Sequence, residues 1–359
     1  MRVFFSAGEA SGDRYAAALA GEIRALDPSA TFEGVGGPHL TAATPGRVIG
    51  SSGWGAISIT QSARVFFRVA AGGMRALRAL RSGKPGLLIP IDFGFFNIRL
   101  CRLARRSGWK VLYFIPPGCW RRDRQGPDIP AVSDAIVTPF PWSAEIYRSM
   151  GARVEWFGHP LKQLIETAPV HEGVRAGTAV LPGSRRHEVS LNLPLVAAAL
   201  EGRPESVEFA VAPSLDERWV RRQWPRDGTF TPGDTYGVLK RARSAVVCSG
   251  TATLEAALCG CPTVVIYKLS LAMSMEAAVV RPKVPYVSLP NILLDRWVLP
   301  ELVHKKARVE LLRNEIATLM EDGPAREAQL ASFQKLSDLL GPSDALTRTA
   351  RFAVELWRG

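Results

Sequence analysis

Short, unbroken apolar runs punctuate the chain, and longer stretches with helical spacing separate them. The first set is Val3–Ser6, Leu87–Ile91, Val111–Ile115, Ala135–Val137 and Val154–Phe157. Helical patterns follow two of these runs, from about Asp13 to Leu26 and from Asn97 to Ser107. A second set begins after Lys162: Ala179–Leu181, followed by a helix from about Leu191, then Val207–Ala212, Ala245–Cys248 and Thr263–Tyr267. Runs apolar on every position are strands buried on both faces, the habit of parallel sheets covered by helices. The expected fold is therefore α/β, with two Rossmann-like, doubly wound domains in series. The polar segment Glu166–Gly177 reads as the linker, giving a first domain over 1–165 and a second over 166–342. From Ser343, a candidate N-cap, to Trp357 the spacing is again helical; this tail, about 343–359, is expected to pack back on the first domain.

Charge sharpens this picture. The 359 residues carry a formal net charge of +12. Residues 1–165 hold 21 Lys+Arg against 11 Asp+Glu, a net of +10; residues 166–359 hold 24 against 22, a net of +2. An excess on one half points to an anionic partner such as nucleic acid, anionic lipid or a phosphorylated substrate; a merely Arg-rich surface fits as well. Nucleic acid is disfavoured, because the basic residues lack an aromatic-interleaved context. From Arg64 to Arg81, Arg64, Arg68, Arg75 and Arg78 share one helical face, with Phe66, Val69, Leu77 and Leu80 opposite. Such a helix lies either in a membrane interface or against a protein core, and Gly72-Gly73 weakens it. The apolar stretch Thr263–Val280 is broken by Lys268 and Glu276, so any membrane contact is expected to be peripheral. No signal-peptide pattern opens the sequence. Five cysteines, an odd number, indicate a reducing compartment rather than a disulfide framework. Cys259 and Cys261 lack a partner pair at zinc spacing, and no metal or cofactor is expected.

Candidate chemistry sits where strands give way to helices. Gly8-Glu9-Ala10-Ser11-Gly12-Asp13 follows the first strand; its glycines permit a tight turn and close ligand approach, or only an ordinary strand-turn-helix. Pro182-Gly183-Ser184-Arg185, followed by Glu188, offers a close backbone, a hydroxyl and a guanidinium to a diphosphate, or is a loop with a solvated Arg. Ser249-Gly250-Thr251-Ala252-Thr253-Leu254-Glu255 opens a helix whose free N–H groups and dipole favour phosphate, with Glu255 placed for ribose hydroxyls; alternatively Ser249 or Thr251 simply caps it. Ser288–Asn291 and Pro300-Glu301 are uninformative alone. Asp92 ends a strand, where it can serve as a general base or cap the next helix. His159 lies at the junction of the halves, as a ligand contact or a satisfied structural histidine.

Taken in order, these blocks resemble the lipid-A-disaccharide synthase family. The matching segments are Ala7–Asp13, Gly34–Pro38, Gly158–Leu161, Leu181–Arg185, Ser249–Glu255 with Pro262 and Tyr267-Lys268, Ser288–Asn291 and Pro300-Glu301. The resemblance implies a two-Rossmann glycosyltransferase of the GT-B type with an interdomain cleft. It implies an inverting, metal-independent transfer of 2,3-diacylglucosamine from its UDP derivative to 2,3-diacylglucosamine 1-phosphate. The products are a β-1,6 disaccharide and UDP, made on the cytoplasmic face of the inner membrane. Ser249, Gly250, Thr251, Thr253, Glu255, Gly183, Ser184, Arg185, Asn291 and Glu301 are then expected around the UDP-sugar donor. Gly8, Glu9, Ser11, Gly12, Asp13, Asn97, Trp120 and His159 are expected on the side of the anionic glycolipid acceptor. A homodimer is left open.

Three departures stand out. The family's Asp-x-Pro-Asp-Phe-Asn reads here Asp92-Phe93-Gly94-Phe95-Phe96-Asn97, so Phe95 replaces a candidate base. The family's Ser-Pro-Gln-Val-Trp reads Pro116-Pro117-Gly118-Cys119-Trp120, and His304 follows where Gln is frequent after Pro-Glu. Asp92 is the substitute base this sequence offers. A paralogue with another acceptor, a non-catalytic UDP-sugar or lipid-binding protein, and an epimerase on the same fold are the alternatives.

Overall fold

The computed structural model describes residues 1–44, 46–51, 54, 59–269 and 285–359, with the side chains of 59–66 left undescribed. It divides into two compact units, Met1–Leu164 with Leu340–Gly359, and Ile165–Leu339.

The first unit holds a seven-stranded parallel sheet: β1 (Arg2–Ala7), β2 (Thr31–Gly36), β3 (Val48–Gly50), β4 (Leu87–Ile91), β5 (Lys110–Phe114), β6 (Ala135–Val137) and β7 (Val154–Glu155), in the order β3-β2-β1-β4-β5-β6-β7. The reversal of winding between β1 and β4 makes their shared C-terminal edge the switch point, where doubly wound sheets leave a crevice. Register pairs Ala7 with Ile91, so the residues that follow, Gly8-Glu9 and Asp92-Phe93, emerge side by side. Phe4, Leu88, Val111, Tyr113 and Ile136 carry the core, under Leu80 and Trp109. The helix Ile59–Arg81 runs unbroken through Gly72-Gly73, because Gly72 leaves the space that the Trp54 ring fills. Arg64 and Phe66 of the expected amphipathic face lie outside the described side chains; beyond them, Phe67 and Met74 are 79% and 58% exposed.

The closing helix, Ala345–Arg358, packs on the helix Ala10–Leu26. Gln163 ties them: its amide donates to Glu22 Oε1 and Thr347 Oγ1, and its Oε1 accepts from Leu346 N. Lys110 Nζ donates to the carbonyls of Leu356 and Trp357. Ser343 is not the cap; the N-cap residue is Asp344, without a side-chain capping bond.

The second unit repeats the plan with β8 (Thr178–Leu181), β9 (Val207–Val211), β10 (Thr229–Pro232), β11 (Ser244–Cys248), β12 (Thr263–Tyr267) and β13 (Glu301–Val303), all parallel, ordered β10-β9-β8-β11-β12-β13. Its switch point lies between β8 and β11. Val180, Phe209, Val246, Val264 and Ile266 form the sheet side of its core. The expected linker is not loose. Lys240 Nζ donates to the carbonyls of Ile165 and Ala168, and Arg175 to those of Gly260 and Cys259, so this polar segment is pinned to the second unit. All five cysteines are free and buried. Among the described residues no helix is long and apolar enough to cross a membrane; the stretch from 270 to 280 lies outside them.

Candidate active site

At the first switch point the backbone is strained in one small region. Asp92 (φ 47°), Phe93 (φ 49°) and Ile115 (φ 56°) are all left-handed, at the ends of the neighbouring strands β4 and β5. Each costs about 1–3 kcal/mol and persists only where its surroundings over-determine it. Here they do. Asp92 N donates to Ile115 O, and Tyr113 Oη donates to Asp92 O at 3.0 Å. Asn97 Nδ2 donates to Asp92 O at 2.8 Å and to Ser6 O at 3.1 Å, while Asn97 Oδ1 accepts from Ser6 Oγ at 2.6 Å. Asn97 is fully buried and holds this turn rather than meeting a ligand.

Asp92 does not cap the following helix, Gly94–Arg106; Phe93 is the N-cap residue and makes no side-chain capping bond. The Asp92 carboxyl is left for other work. Burial, with the neighbouring charge of Glu9 second, pushes its pKa up to about 6. A carboxylate of that proton affinity is mostly ionised at neutrality yet more basic than an ordinary aspartate, which suits a general base.

Several candidates on this side have structural tasks. The space over Gly8 is filled by the Phe93 ring, not by a ligand. Gly12 is buried against Ile91 and Ala7, a helix-on-sheet contact. Asp13 is buried and accepts from Gly37 N (2.6 Å), His39 N (2.9 Å) and Leu40 N (3.1 Å), so it fixes the Gly36–Pro38 turn. His159 is buried between Phe140 and Tyr15, with Nδ1 accepting from Leu161 N. Burial lowers its pKa to about 3, so it is a neutral structural imidazole. Glu9 is exposed, Ser11 is partly buried, and Trp120 is exposed beneath the Arg121 guanidinium. Phe95 is 74% exposed, with Arg99 stacked 3.8 Å from its ring centroid.

The second switch point is a set of loops held by buried polar groups. Gly183 (φ 126°) turns the chain after β8 where a Cβ would run into Glu188. Glu188 Oε2 accepts from Ser184 N and Arg185 N, and its Oε1 from Arg185 Nη1 at 2.7 Å. Asn192 Nδ2 donates to Pro182 O while its Oδ1 accepts from Lys268 N, joining the ends of β8 and β12. After β11, Gly250 (φ 144°) is the N-cap residue of the helix Thr251–Leu258. It brings no side chain, and a Cβ there would meet open space. Neither Ser249 nor Thr251 caps this helix. Ser249 Oγ donates to Val287 O; Thr253 is buried, donates to Gly250 O and accepts from Leu289 N. Glu255 is buried within the helix.

Asn291 and Glu301 are tied into one buried network. Asn291 is fully buried; Nδ2 donates to Leu299 O and Glu301 Oε1, and Oδ1 accepts from Val298 N and Leu299 N. Glu301 accepts from Val287 N, Ser288 N, Ser288 Oγ and Asn291 Nδ2. Both residues shape the 287–291 loop, Asn291 with its whole hydrogen-bonding capacity and Glu301 with three bonds to Oε1 and one to Oε2. The tip at Gly250 is exposed, whereas Ser184 N and Arg185 N of the partly exposed Gly183 turn are already bonded to Glu188. The signal for Glu188 as holder of the turn is its place three residues after Arg185, the N3 position of a helix start; Asn192 carries no such signal in the sequence.

Residues 3–353 match the protein family described as lipid-A-disaccharide synthetase. The lipid-A-disaccharide synthase of Syntrophus aciditrophicus is 33% identical, covering 99% of this chain and 97% of its own. That of Acidobacterium capsulatum is 32% identical over 99% and 96%. The chain belongs to the lipid-A-disaccharide synthase family. Solved structures place the fold among two-domain glycosyltransferases and their kin. MurG of Acinetobacter baumannii aligns with a TM-score of 0.57 at 13% identity, covering 99% of each chain. The UDP-GlcNAc 2-epimerase of Neisseria meningitidis, bound to UDP-GlcNAc, aligns with a TM-score of 0.60 at 10% identity, covering 99% of this chain and 100% of its own.

At the β4 edge Phe95 brings no carboxylate, and Asp92, with Glu9 beside it, supplies the acid of this switch point.

Proposed function

We propose that this chain is an inverting glycosyltransferase that uses a UDP-linked acylated glucosamine, with lipid A disaccharide formation as its reaction. The observation that carries the reading is positional. In each unit the loops singled out from sequence stand at the switch point of a doubly wound sheet: 8–13 and 92–97 in the first, 182–185 and 249–251 in the second. In the second unit, the donor diphosphate lies over the open tip at Gly250-Thr251, held by backbone N–H groups and the helix dipole. The Gly183 turn and Arg185, which Glu188 orients, supply the flank. Charge growing on the leaving UDP is stabilised by these fixed donors. In the first unit, ionised Asp92 removes the proton of the acceptor hydroxyl as that oxygen attacks the anomeric carbon and UDP departs.

The acceptor is an anionic glycolipid, 2,3-diacylglucosamine 1-phosphate, and the basic first unit meets its phosphate and anionic headgroups. Exposed Phe67 and Met74 beside Arg68 and Arg75 support a peripheral seat on the cytoplasmic face of the inner membrane. Phe95 in place of the family Asp supports one second reading, a related transferase with a different acceptor.

The test is UDP release by the full chain from UDP-2,3-diacylglucosamine with and without the acceptor. Turnover that needs the acceptor and falls about 10²–10⁴-fold in Asp92→Asn is expected. Full rate in Asp92→Asn removes Asp92 as the base. Donor conversion without acceptor would favour an epimerase. UDP binding with no turnover would make this a binding protein.

A further inference from the structure

A polar atom enclosed by protein without a hydrogen-bond partner costs about 1–3 kcal/mol, so such atoms are rare and call for an explanation. Among the described residues, the Tyr267 hydroxyl is one. Tyr267 is the last residue of β12, and the register pairing Cys248 with Ile266 sets it beside Ser249, at the start of the open helix tip. Glu188, Cys248 and Arg185, from the turn after β8 and the end of β11, are among the groups whose charge acts on its phenol. Burial, then Glu188 and Cys248, push it up to about 12, so it is a neutral O–H donor at any physiological pH. The residue after it is clamped by Asn192, which also grips Pro182 at the start of the Gly183 turn. A second unpartnered atom, His187 Nε2, belongs to the first turn of the helix that follows Arg185. Two unmet hydrogen-bonding groups thus belong to elements that border the turn read as a phosphate flank, one ending β12 and one opening the helix after Arg185.

We propose that the Tyr267 hydroxyl is a further donor-binding group, completing its hydrogen bond on an oxygen of the substrate's diphosphate. The inference rests on the UDP-sugar reading above and adds to it a side chain that reaches the phosphates from the β12 edge. It also explains why a tyrosine, and not the phenylalanine that would pack equally well, ends this strand.

The experiment compares the native full chain with Tyr267→Phe by calorimetry against UDP and against uridine, with thermal unfolding of each ligand-free protein. The expected result is UDP affinity about tenfold or more weaker in Tyr267→Phe, since the lost bond is charge-assisted. Uridine affinity is unchanged, and the ligand-free variant unfolds at or above the native temperature, because an unmet hydroxyl has been removed. Equal UDP affinity in the two proteins overturns the proposal, as does an equal loss for uridine. A marked fall in the unfolding temperature also overturns it, by showing that the hydroxyl serves the fold. If the native chain itself fails to bind UDP, the donor reading falls first, which is a distinguishable outcome.

Discussion

Replacing Glu301 by Gln tests how the second unit keeps its ligand edge in shape. The carboxylate accepts four hydrogen bonds: Val287 N to Oε2 at 3.0 Å, and Ser288 N, Ser288 Oγ and Asn291 Nδ2 to Oε1 at 2.9, 2.6 and 2.8 Å. A glutamine fits the same space. If its oxygen takes the crowded Oε1 position, its amide faces Val287 N–H, donor against donor. That leaves a buried pair unmet at about 1–3 kcal/mol, and the remaining three bonds lose their charge assistance. A total of about 3 kcal/mol is a large share of a domain's stability. The fitting assay is hydrogen exchange by mass spectrometry on peptides spanning 285–303. There a loss of about 3 kcal/mol in local opening speeds exchange on the order of a hundredfold. UDP affinity should weaken as well, because the loop that Glu301 holds borders the donor site of the reading above. Glu321→Gln, an exposed carboxylate of the same unit, is the control and should change little. Native exchange rates in Glu301→Gln would refute the claim that this acid holds the loop.

Two pH-linked predictions follow from burial in the first unit. The folded pKa of Asp92, about 6, exceeds its ordinary 3.8, so this group stabilises the fold below about pH 4 and that contribution is lost as pH rises through about 6. Asp92→Asn should therefore be more stable than the native protein at pH 8, by on the order of 1–3 kcal/mol in urea titration, with the gap closing at pH 4. Native kcat/KM should fall as pH drops below about 6, with Asp92 protonated. His159 has the opposite sense. Held near 3 in the fold against 6.5 ordinarily, it costs stability as pH falls through 6.5 because only the unfolded chain takes up the proton. Between pH 6.5 and 5 the loss should be about 2 kcal/mol, read by urea titration, and His159→Gln should flatten that slope.

The strands buried on both faces were legible in the sequence almost to the residue. Leu87–Ile91, Ala135–Val137 and Thr263–Tyr267 are observed with those bounds. Four strands gave no run to read. Thr31–Gly36 mixes Glu33, Gly34 and Gly36 into its length, and Val48–Gly50, Thr229–Pro232 and Glu301–Val303 are short pieces toward the sheet edges. The positions of the candidate loops were legible for the same reason, since each follows a readable strand. The tasks of their side chains were not. Asp13, Asn97, Asn291 and Glu301 look like ligand contacts in sequence because polar residues at strand ends usually are. Only three-dimensional neighbours, from five to 91 residues away in sequence, reveal that these side chains hold the loops themselves. Phe93 is the converse: nothing in a sequence says that its ring lies over Gly8.

The first unit is assembled from two stretches of chain, residues 1–164 and 340–359, while the second is one uninterrupted stretch between them. A ribosome therefore finishes the second unit before the first, although it starts the first earlier. Until Thr347 reaches Gln163 and Glu22, the nascent first unit lacks the helix that covers one side of its opening helix. Stop codons or proteolysis near residue 340 would thus damage the half of the molecule farthest away in sequence, leaving a sound second unit attached to an unfinished one.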